Sequence, residues 1–399
     1  MRVLVLDGNQ NQAVAAVRSL ARAGHHVLVG ESDSWSKAGW SRACRGMFQY
    51  PAPQVDARRF VSHIATIAGA EPGTFVLPMT EATTLPLSAL RDTVLAGGGR
   101  IVLPDHSDVL RAFDKDETIR LAASLGIPVP RTVLVSSAKE ASRAQSEIPF
   151  PVVLKPRSSE EFGSASKVRT TGRPRYAVDA QQFRVAYEEM SRTSCAVLVQ
   201  EFVDGDGAGY FALMHHGELR ADFAHRRIRD VRPTGSGSAV RISVEPDAEI
   251  RKASLALLKA LNWHGVAMVE FRHQKGKPPV FMEVNGRFWH SLPLACYAGV
   301  DFPALLARLA EKGDVEPANP GRTGIRCRWF LGDLRHLIEV WRGAPAGYPR
   351  AYPGRLETLM QVLTPVPGTF HDLFQWQDPL PELGDWLSFG RRILGGGGR

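Results

Sequence analysis

The sequence has little cysteine and no CxxC pair. Cys44, Cys195, Cys296 and Cys327 are scattered along the chain, which excludes a disulfide framework and a cysteine-ligated zinc site and leaves reduced, buried thiols as the expectation. Long hydrophobic runs are also missing. Val3 to Leu6 and Val152 to Leu154 are strand-sized, far short of the roughly 18 apolar residues of a membrane span. Arg2 precedes a short apolar run that meets Asp7 and Gly8 at once, so there is no secretory h-region, and a cytoplasmic protein without a membrane partner is expected. The dinucleotide fingerprint GxGxxG is absent too: Gly8 stands alone in Asp7-Gly-Asn-Gln-Asn-Gln12, which removes support for a nicotinamide-binding role. Finally, the charge is not clustered. The net charge is +8 and the pI about 9.5, but the arginines are spread evenly, with one short group at Arg226, Arg227, Arg229 and Arg232 and no interleaved aromatics. Nucleic acid is therefore not an expected partner, and a small polyanion accounts for that group equally well.

What is present is ordinary globular material: 399 residues, 44% hydrophobic and 23% charged, enough for two or three domains. Arg2 to Leu6 reads as a strand, Ala13, Val17, Leu20 and Ala21 as a helical face stopped by Gly24, and His26 to Gly30 as the next strand. Phe75 to Leu77 and Arg100 to Leu103 continue the alternation. This βαβ series predicts a parallel sheet over residues 1 to about 112, a Rossmann-like domain. A short helix from Asp114, acidic in its first turn and closed by Gly126, marks the boundary. Beyond it the pattern turns α+β. Strands are expected at Thr132, Pro151 to Lys155 and Ala196 to Phe202, with helices at Ala138 to Gln145 and Asp179 to Ser191. A meander follows around Gly209 to Arg227, Val240 to Val244, Gly265 to Arg272 and Pro279 to Val284, split by a helix over Asp247 to Leu261.

Four places carry chemistry. In the hairpin Val266 to Arg272 and Val280 to Arg287, side chains alternate faces. Glu270, Glu283 and Asn285 then converge on one polar face, while Val269, Phe271, Met282 and Val284 point to the core. Two carboxylates and an amide oxygen are hard ligands that suit Mg²⁺, and Arg287, next on that face, is placed to brace a phosphoryl group. The competing explanation is the solvated side of an antiparallel sheet. Second, Lys155 ends the apolar strand of Phe150-Pro-Val-Val-Leu-Lys-Pro156 and enters the small-residue loop Arg157 to Ser166, a pattern that folds over phosphates. Third, the strand Ala196 to Val203 ends in Gln200 and Glu201 before a glycine-rich turn, so an adenine can lie on its apolar side chains. Fourth, Lys115 opens the linking helix within reach of a phosphate. Taken singly, each of the last three reads better as solvated or structural.

Their order resembles the ATP-grasp superfamily, in particular its carbamoyl-phosphate-synthase-like and biotin-carboxylase-like carboxylate-amine ligases. The resemblance runs over most of the chain: Lys115, then Val153-Leu-Lys-Pro156, then Gln200-Glu-Phe-Val203, then Val269-Glu-Phe271, and Met282-Glu-Val-Asn-Gly-Arg287, the most specific of them. It implies a Rossmann-like preATP-grasp domain over 1–112, an ATP-grasp domain over 113–313 with a lid at about 130–200 and a catalytic part at about 201–313, and a helical, loop-rich extension over 314–399. It further implies ATP contacts at Lys115, Lys155, Gln200, Glu201, Phe202 and Val203, and a Mg²⁺ site (or Mn²⁺) at Glu270, Glu283 and Asn285. The ribose contact stays open between Asp204 and Asp206, with Asp206 kept in the nucleotide set. Arg287 and Arg241 take catalytic roles, with substrate contacts at Arg226, Arg227 and His290; a Gly/Ser loop over Thr234 to Ser238 would close as a lid. The implied reaction joins a carboxylic acid to an amine through an acyl phosphate, releasing ADP and phosphate. A non-catalytic ATP-binding regulator, a kinase and a carboxylase are the alternatives, and a homodimer is a further expectation. The phosphate loop departs from the pattern in carrying Glu160 and Glu161.

Overall fold

A computed structural model of the protein describes residues 1–162, 167–194 and 196–394. Its first part runs β1 (Arg2–Val5), α1 (Asn11–Arg22), β2 (His26–Glu31), β3 (Gly46–Gln49), α2 (Pro53–Gly69), β4 (Phe75–Leu77), α3 (Glu81–Ala89) and α4 (Arg91–Ala96). The four strands form a parallel sheet in the order β3-β2-β1-β4. Val3, Leu4 and Val5 are all fully buried, as are Phe75 and Val76. Such unbroken apolar strands require cover on both faces, the reason a parallel sheet reads as a run rather than an alternation. Arg100 to Leu103 forms no strand: only an isolated parallel bridge joins Phe75 to Arg100. The short strand β3 carried no sequence signal. Next come α5 (His106–Phe113) and α6 (Lys115–Ser124), the latter capped by Asp114, whose carboxylate accepts from the backbone N–H of Asp116 and Glu117.

The middle part is β5 (Thr132–Val135), α7 (Ala138–Glu147), β6 (Val152–Pro156), β7 (Glu160–Phe162), β8 (Val168–Thr170), β9 (Arg175–Ala177), α8 (Ala180–Ser191) and β10 (Val197–Glu201). An antiparallel sheet in the order β5-β10-β6-β9 packs Leu154, Val197 and Val199 against Ala141, Phe183 and Met190 of the two helices. β7 and β8 make a separate hairpin. It occupies the stretch expected to be a polar loop, and Phe162 and Val168 pack it onto Ala57 and Ala82 of the first part. The four loop positions 163–166 lie outside the described residues, as do Cys195 and the terminal glycines from Gly395 to Gly398.

The remainder is β11 (Asp206–His215), β12 (Glu218–Arg232), β13 (Ser236–Val244), α9 (Ala248–Ala260), β14 (Gly265–His273), β15 (Val280–Asn285), α10 (Leu292–Ala298), α11 (Phe302–Lys312), β16 (Arg326–Arg328), α12 (Phe330–Arg342), α13 (Arg355–Leu363), β17 (Thr369–His371) and α14 (Leu380–Leu394). Seven strands form one sheet, β15-β14-β11-β12-β13-β16-β17. Tyr210, Ala212 and Val269 bury one face beneath α9, while Phe211, Leu213 and Met268 bury the other against Trp289 and the α10–α11 segment. The stretch after residue 313 is therefore not a mere helical appendage. β16 and β17 lengthen the central sheet, and the C-terminal segment returns to the first part through Arg18–Asp378 and Lys37–Asp385, both at 2.8 Å and enclosed. Among the described residues no single helix is long and apolar enough to cross a membrane; α10 and α11 qualify by length only as a pair bent by 86°.

Candidate active site

A cleft of about 930 Å³ opens between the antiparallel sheet and the central sheet. Its floor is the β14–β15 hairpin, where Glu270 and Glu283 are direct cross-strand partners and Asn285 follows on the same face. The register slips between Glu270 and Phe271, so that Phe271 faces Phe281 and Met282 is left over as a bulge. Phe281 accordingly fills the core and Met282 lines the cleft, which corrects the expectation that Met282 points inward: one extra residue reverses the alternation behind it.

The carboxylates are partly shielded from solvent and paired with cations. Arg227 Nη2 donates to Glu270 Oε2 at 2.9 Å, and Lys115 Nζ stands 3.7 Å from Glu283 Oε2. Burial by itself would raise the Glu283 carboxyl, but Lys115, Lys155, Arg287 and a hydrogen bond from Asn285 outweigh it and hold the group below its ordinary value. Asn285 Nδ2 lies 3.4 Å from Glu270 Oε1, and its Oδ1 accepts from Arg287 Nη2 at 3.0 Å. Arg287 also reaches Glu81 of α3 at 3.5 Å, linking the hairpin to the first part. This donor set, all oxygen and already balanced by cations, fits Mg²⁺.

Two lysines face these carboxylates. Lys115 is fixed by its position at the start of α6, its N–H bonded to Arg157 O at 3.0 Å and its Nζ donating to Ser159 Oγ at 3.1 Å. Lys155, on β6 opposite Leu198, is almost fully enclosed. Burial pushes its ammonium down to about 8, partly offset by Glu283 and lowered again by Lys115.

The apolar wall comes from β6 and β10. Val153, Gln200, Phe202 and Val203 line it with Glu201. The side chains of Gln200 and Glu201 are already engaged: Gln200 Nε2 donates to Thr132 Oγ1 at 2.9 Å, and Glu201 Oε1 accepts from Arg131 N at 2.9 Å. Tyr176 packs edge-on to Phe202 with centroids 6.3 Å apart and lines the cleft together with Tyr352, Arg232 and Arg272; sequence reasoning gave none of these four a site role. For Arg272 the signal was there, since it stands two residues beyond Glu270 and so shares its face, and Arg232 closes the basic group noted above. Tyr176 and Tyr352 carry no local signal.

Other expected site residues lie elsewhere. Asp206 is exposed at the start of β11 and is not among the lining residues, and Asp204 pairs with Arg350 at 2.9 Å. Arg226 points to solvent, on the face opposite Arg227. Arg241 is a correction: it is fully buried and ion-paired with Asp372, because β13 is flanked by β12 and β16 and its side chain is sealed in by Cys327 and Asp372. His290 is largely enclosed beside the Trp329 ring, centroids 4.5 Å apart. Burial first, then Arg241, Lys37, Arg335 and Arg287, push its pKa well below the ordinary value, so it is neutral. The lid expected before Arg241 is a tight turn instead: Asp230 pairs with Ser238 and Arg232 with Ser236, leaving only Pro233 to Gly235 between strands, with Thr234 and Gly235 on the cleft.

Glu160 belongs to the β7–β8 hairpin, which packs on the first part. Burial raises its carboxyl to about 7, against the lowering effect of hydrogen bonds from Thr170 at 3.0 Å.

A seven-stranded sheet and a smaller antiparallel sheet, with two lysines facing two carboxylates in the cleft between them, define a two-lobed fold. The family profile "ATP-grasp in the biosynthetic pathway with Ter operon" matches residues 194–332. A D-alanine–D-alanine ligase of Acidovorax ebreus is 27% identical over 235 residues, 53% of this chain and 66% of that enzyme, so the chain spans just under two thirds of that relative. An N5-carboxyaminoimidazole synthetase of Staphylococcus aureus bound to ADP superposes with a TM-score of 0.63 at 12% identity, covering 82% of this chain and 80% of that one. A biotin carboxylase domain dimer of a Hydrogenobacter thermophilus 2-oxoglutarate carboxylase, holding MgADP, gives 0.62 at 15% identity over 82% and 73%. Residues 194–332 thus resemble an ATP-grasp profile, and the chain shares its fold with these two ADP-bound proteins.

Proposed function

We propose that this chain is an ATP-dependent carboxylate-amine ligase that makes an amide bond through an acyl phosphate. The observation that carries the reading is the facing of Lys115 and Lys155 against Glu270 and Glu283 in one cleft with an apolar wall. The names of the curated relatives favour small amino acids as both acid and amine.

In this reading Phe202, Val203, Met282 and Tyr176 hold the adenine, and Lys115 and Lys155 hold the phosphates. Glu270, Glu283 and Asn285 would hold Mg²⁺ or Mn²⁺; bound there, the ion neutralises charge on the phosphate oxygens. The substrate carboxylate attacks the γ-phosphorus and the bond to ADP breaks, leaving an acyl phosphate. The amine then attacks the acyl carbon, loses its proton to solvent or base, and inorganic phosphate departs. Arg287, held beside the carboxylates by Asn285 and Glu81, stabilises the tetrahedral oxyanion. Arg227 orients Glu270, and His290, being neutral and weakly basic, is suited to hydrogen bonding rather than to binding an anion. The domain division at 112 and 313, with the lid at about 130–200, is part of the same proposal, as is the Rossmann-like assignment of the first domain.

The test is ADP and phosphate release from Mg-ATP with pooled amino acids and small carboxylic acids, wild type beside Glu283→Ala. Release that needs a particular acid and amine and disappears in the variant supports the ligase. ATP binding without turnover in any pool points to a regulator, and absence of ATP binding overturns the reading.

A further inference from the structure

Remote from the cleft, three imidazoles meet at the other end of the central sheet. His215 ends β11, His216 occupies the turn into β12, and His264 immediately precedes β14. One ring nitrogen from each lies within 4.8 Å of the others. The turn is sharply defined: His216 takes φ 47° and Gly217 φ 81°, the doubly left-handed turn in which asparagine-glycine is the usual pair. Gly217 N donates to Trp263 O at 2.9 Å, which clamps the turn to the segment carrying His264. The His216 and His264 rings are stacked, 8° from parallel with centroids 4.2 Å apart, and the His215 ring is 4.9 and 5.3 Å from them. Stacked rings offer each other no hydrogen bond, and His264 Nδ1 is buried without a partner. His215 Nδ1 stands 2.7 Å from Asp314 Oδ1, and Arg220 holds that carboxylate at 2.7 Å.

We propose that His215, His216 and His264 form a zinc site with one open coordination position. The donor chemistry selects the ion: three imidazoles without a thiolate suit Zn²⁺, whereas Mg²⁺ and Ca²⁺ prefer oxygen, so this site does not compete for the ion of the cleft. Imidazole is mostly neutral at neutral pH and keeps a lone pair for the metal. Asp314 stands beside Nδ1 of His215, which would leave Nε2 as the ligand atom, as in a carboxylate–histidine–metal arrangement. A metal lies in the plane of each ring it binds, so the stack must open. His216 is the exposed member of the three, and its ring turns while the two less exposed rings hold their places. From Gly207 on the cleft to His215 is roughly 25 Å of extended strand at about 3.3 Å per residue. The ion would accordingly act as a clasp between the β11–β12 turn and the start of β14, the strand that carries Glu270, and not as a participant in chemistry.

The experiment uses full-length protein freed of metal by a chelator and titrated with Zn²⁺ against a chromophoric competitor, in wild type, Glu283→Ala and His216→Asn. Asparagine tolerates the left-handed conformation, so the turn is retained. The expected result is one zinc per chain bound by wild type and by Glu283→Ala alike, with affinity at least tenfold weaker in His216→Asn. Co²⁺ should give the intense visible band of a tetrahedral site in the first two, and zinc should raise the unfolding temperature of these but not of His216→Asn. Absence of stoichiometric binding overturns the proposal. So does unchanged affinity in a folded His216→Asn protein, or binding lost only in Glu283→Ala, which would place the ion at the cleft.

Discussion

At the scale of single residues, the cleft depends on a balance between two ammonium groups, one of them buried, and two carboxylates. Glu283 is the hinge of that balance, because Lys115, Lys155 and Arg287 all bear on it. Glu283→Ala should lower turnover by on the order of 100-fold or more, the usual loss when one preorganised electrostatic contact is removed, with the unfolding transition retained; ADP release against thermal denaturation checks this. Lys155 supplies a pH signature. Its value of about 8 lies below the ordinary 10.5, so between those pH values the unfolded chain binds more protons than the folded one, and this group makes stability rise with pH there. Nucleotide affinity should move the opposite way, falling as pH climbs through about 8 and the ammonium is lost, and Lys155→Arg should flatten that fall. Equilibrium binding measured from pH 7 to 9 decides the point.

At the scale of elements, the β14–β15 hairpin shows how one backbone irregularity sets a binding surface. The bulge at Met282 exchanges it for Phe281 in the core and turns a flexible apolar side chain into the cleft. Met282→Ala should weaken ATP binding by about tenfold, the scale set by roughly 1.5 kcal/mol for an apolar side chain leaving its contact, with little change in turnover at saturation; separate KM and kcat values test it. On β13 the expected substrate arginine is a structural one. Removing one partner of the fully buried Arg241–Asp372 pair leaves an uncompensated charge. Asp372→Ala should therefore cost about 3–5 kcal/mol of stability, measured by denaturant unfolding, while the folded fraction keeps its nucleotide affinity.

At the scale of the whole molecule, the chain after residue 313 closes the structure, adding β16 and β17 to the central sheet and returning to the first part through Asp378 and Asp385. It also presents an apolar stripe outward: Leu356, Met360 and Leu363 of α13 are 76%, 63% and 67% exposed, at a spacing that puts them on one helix face. A second copy of the chain is the expected cover for this stripe, in line with the sequence expectation of a homodimer. Sedimentation velocity should show a dimer for wild type and a folded monomer for Met360→Glu; a monomeric wild type removes the expectation.

The sequence by itself determined the elements whose signal is local. Unbroken apolar runs marked the buried parallel strands, Asp114, Asp179 and Asp247 marked helix starts that they do cap, and the alternation through Glu270, Glu283 and Asn285 put them on one face. Only the tertiary structure decided the rest. Whether Arg241 meets a ligand or Asp372 depends on a residue 131 positions away, and whether Tyr352 reaches the cleft depends on how the C-terminal segment docks. Met282 was misread because a bulge is a property of two paired strands, not of either one. Periodicity records what each strand must bury, whereas long-range pairing sets which polar groups meet, and it is those meetings that make the site.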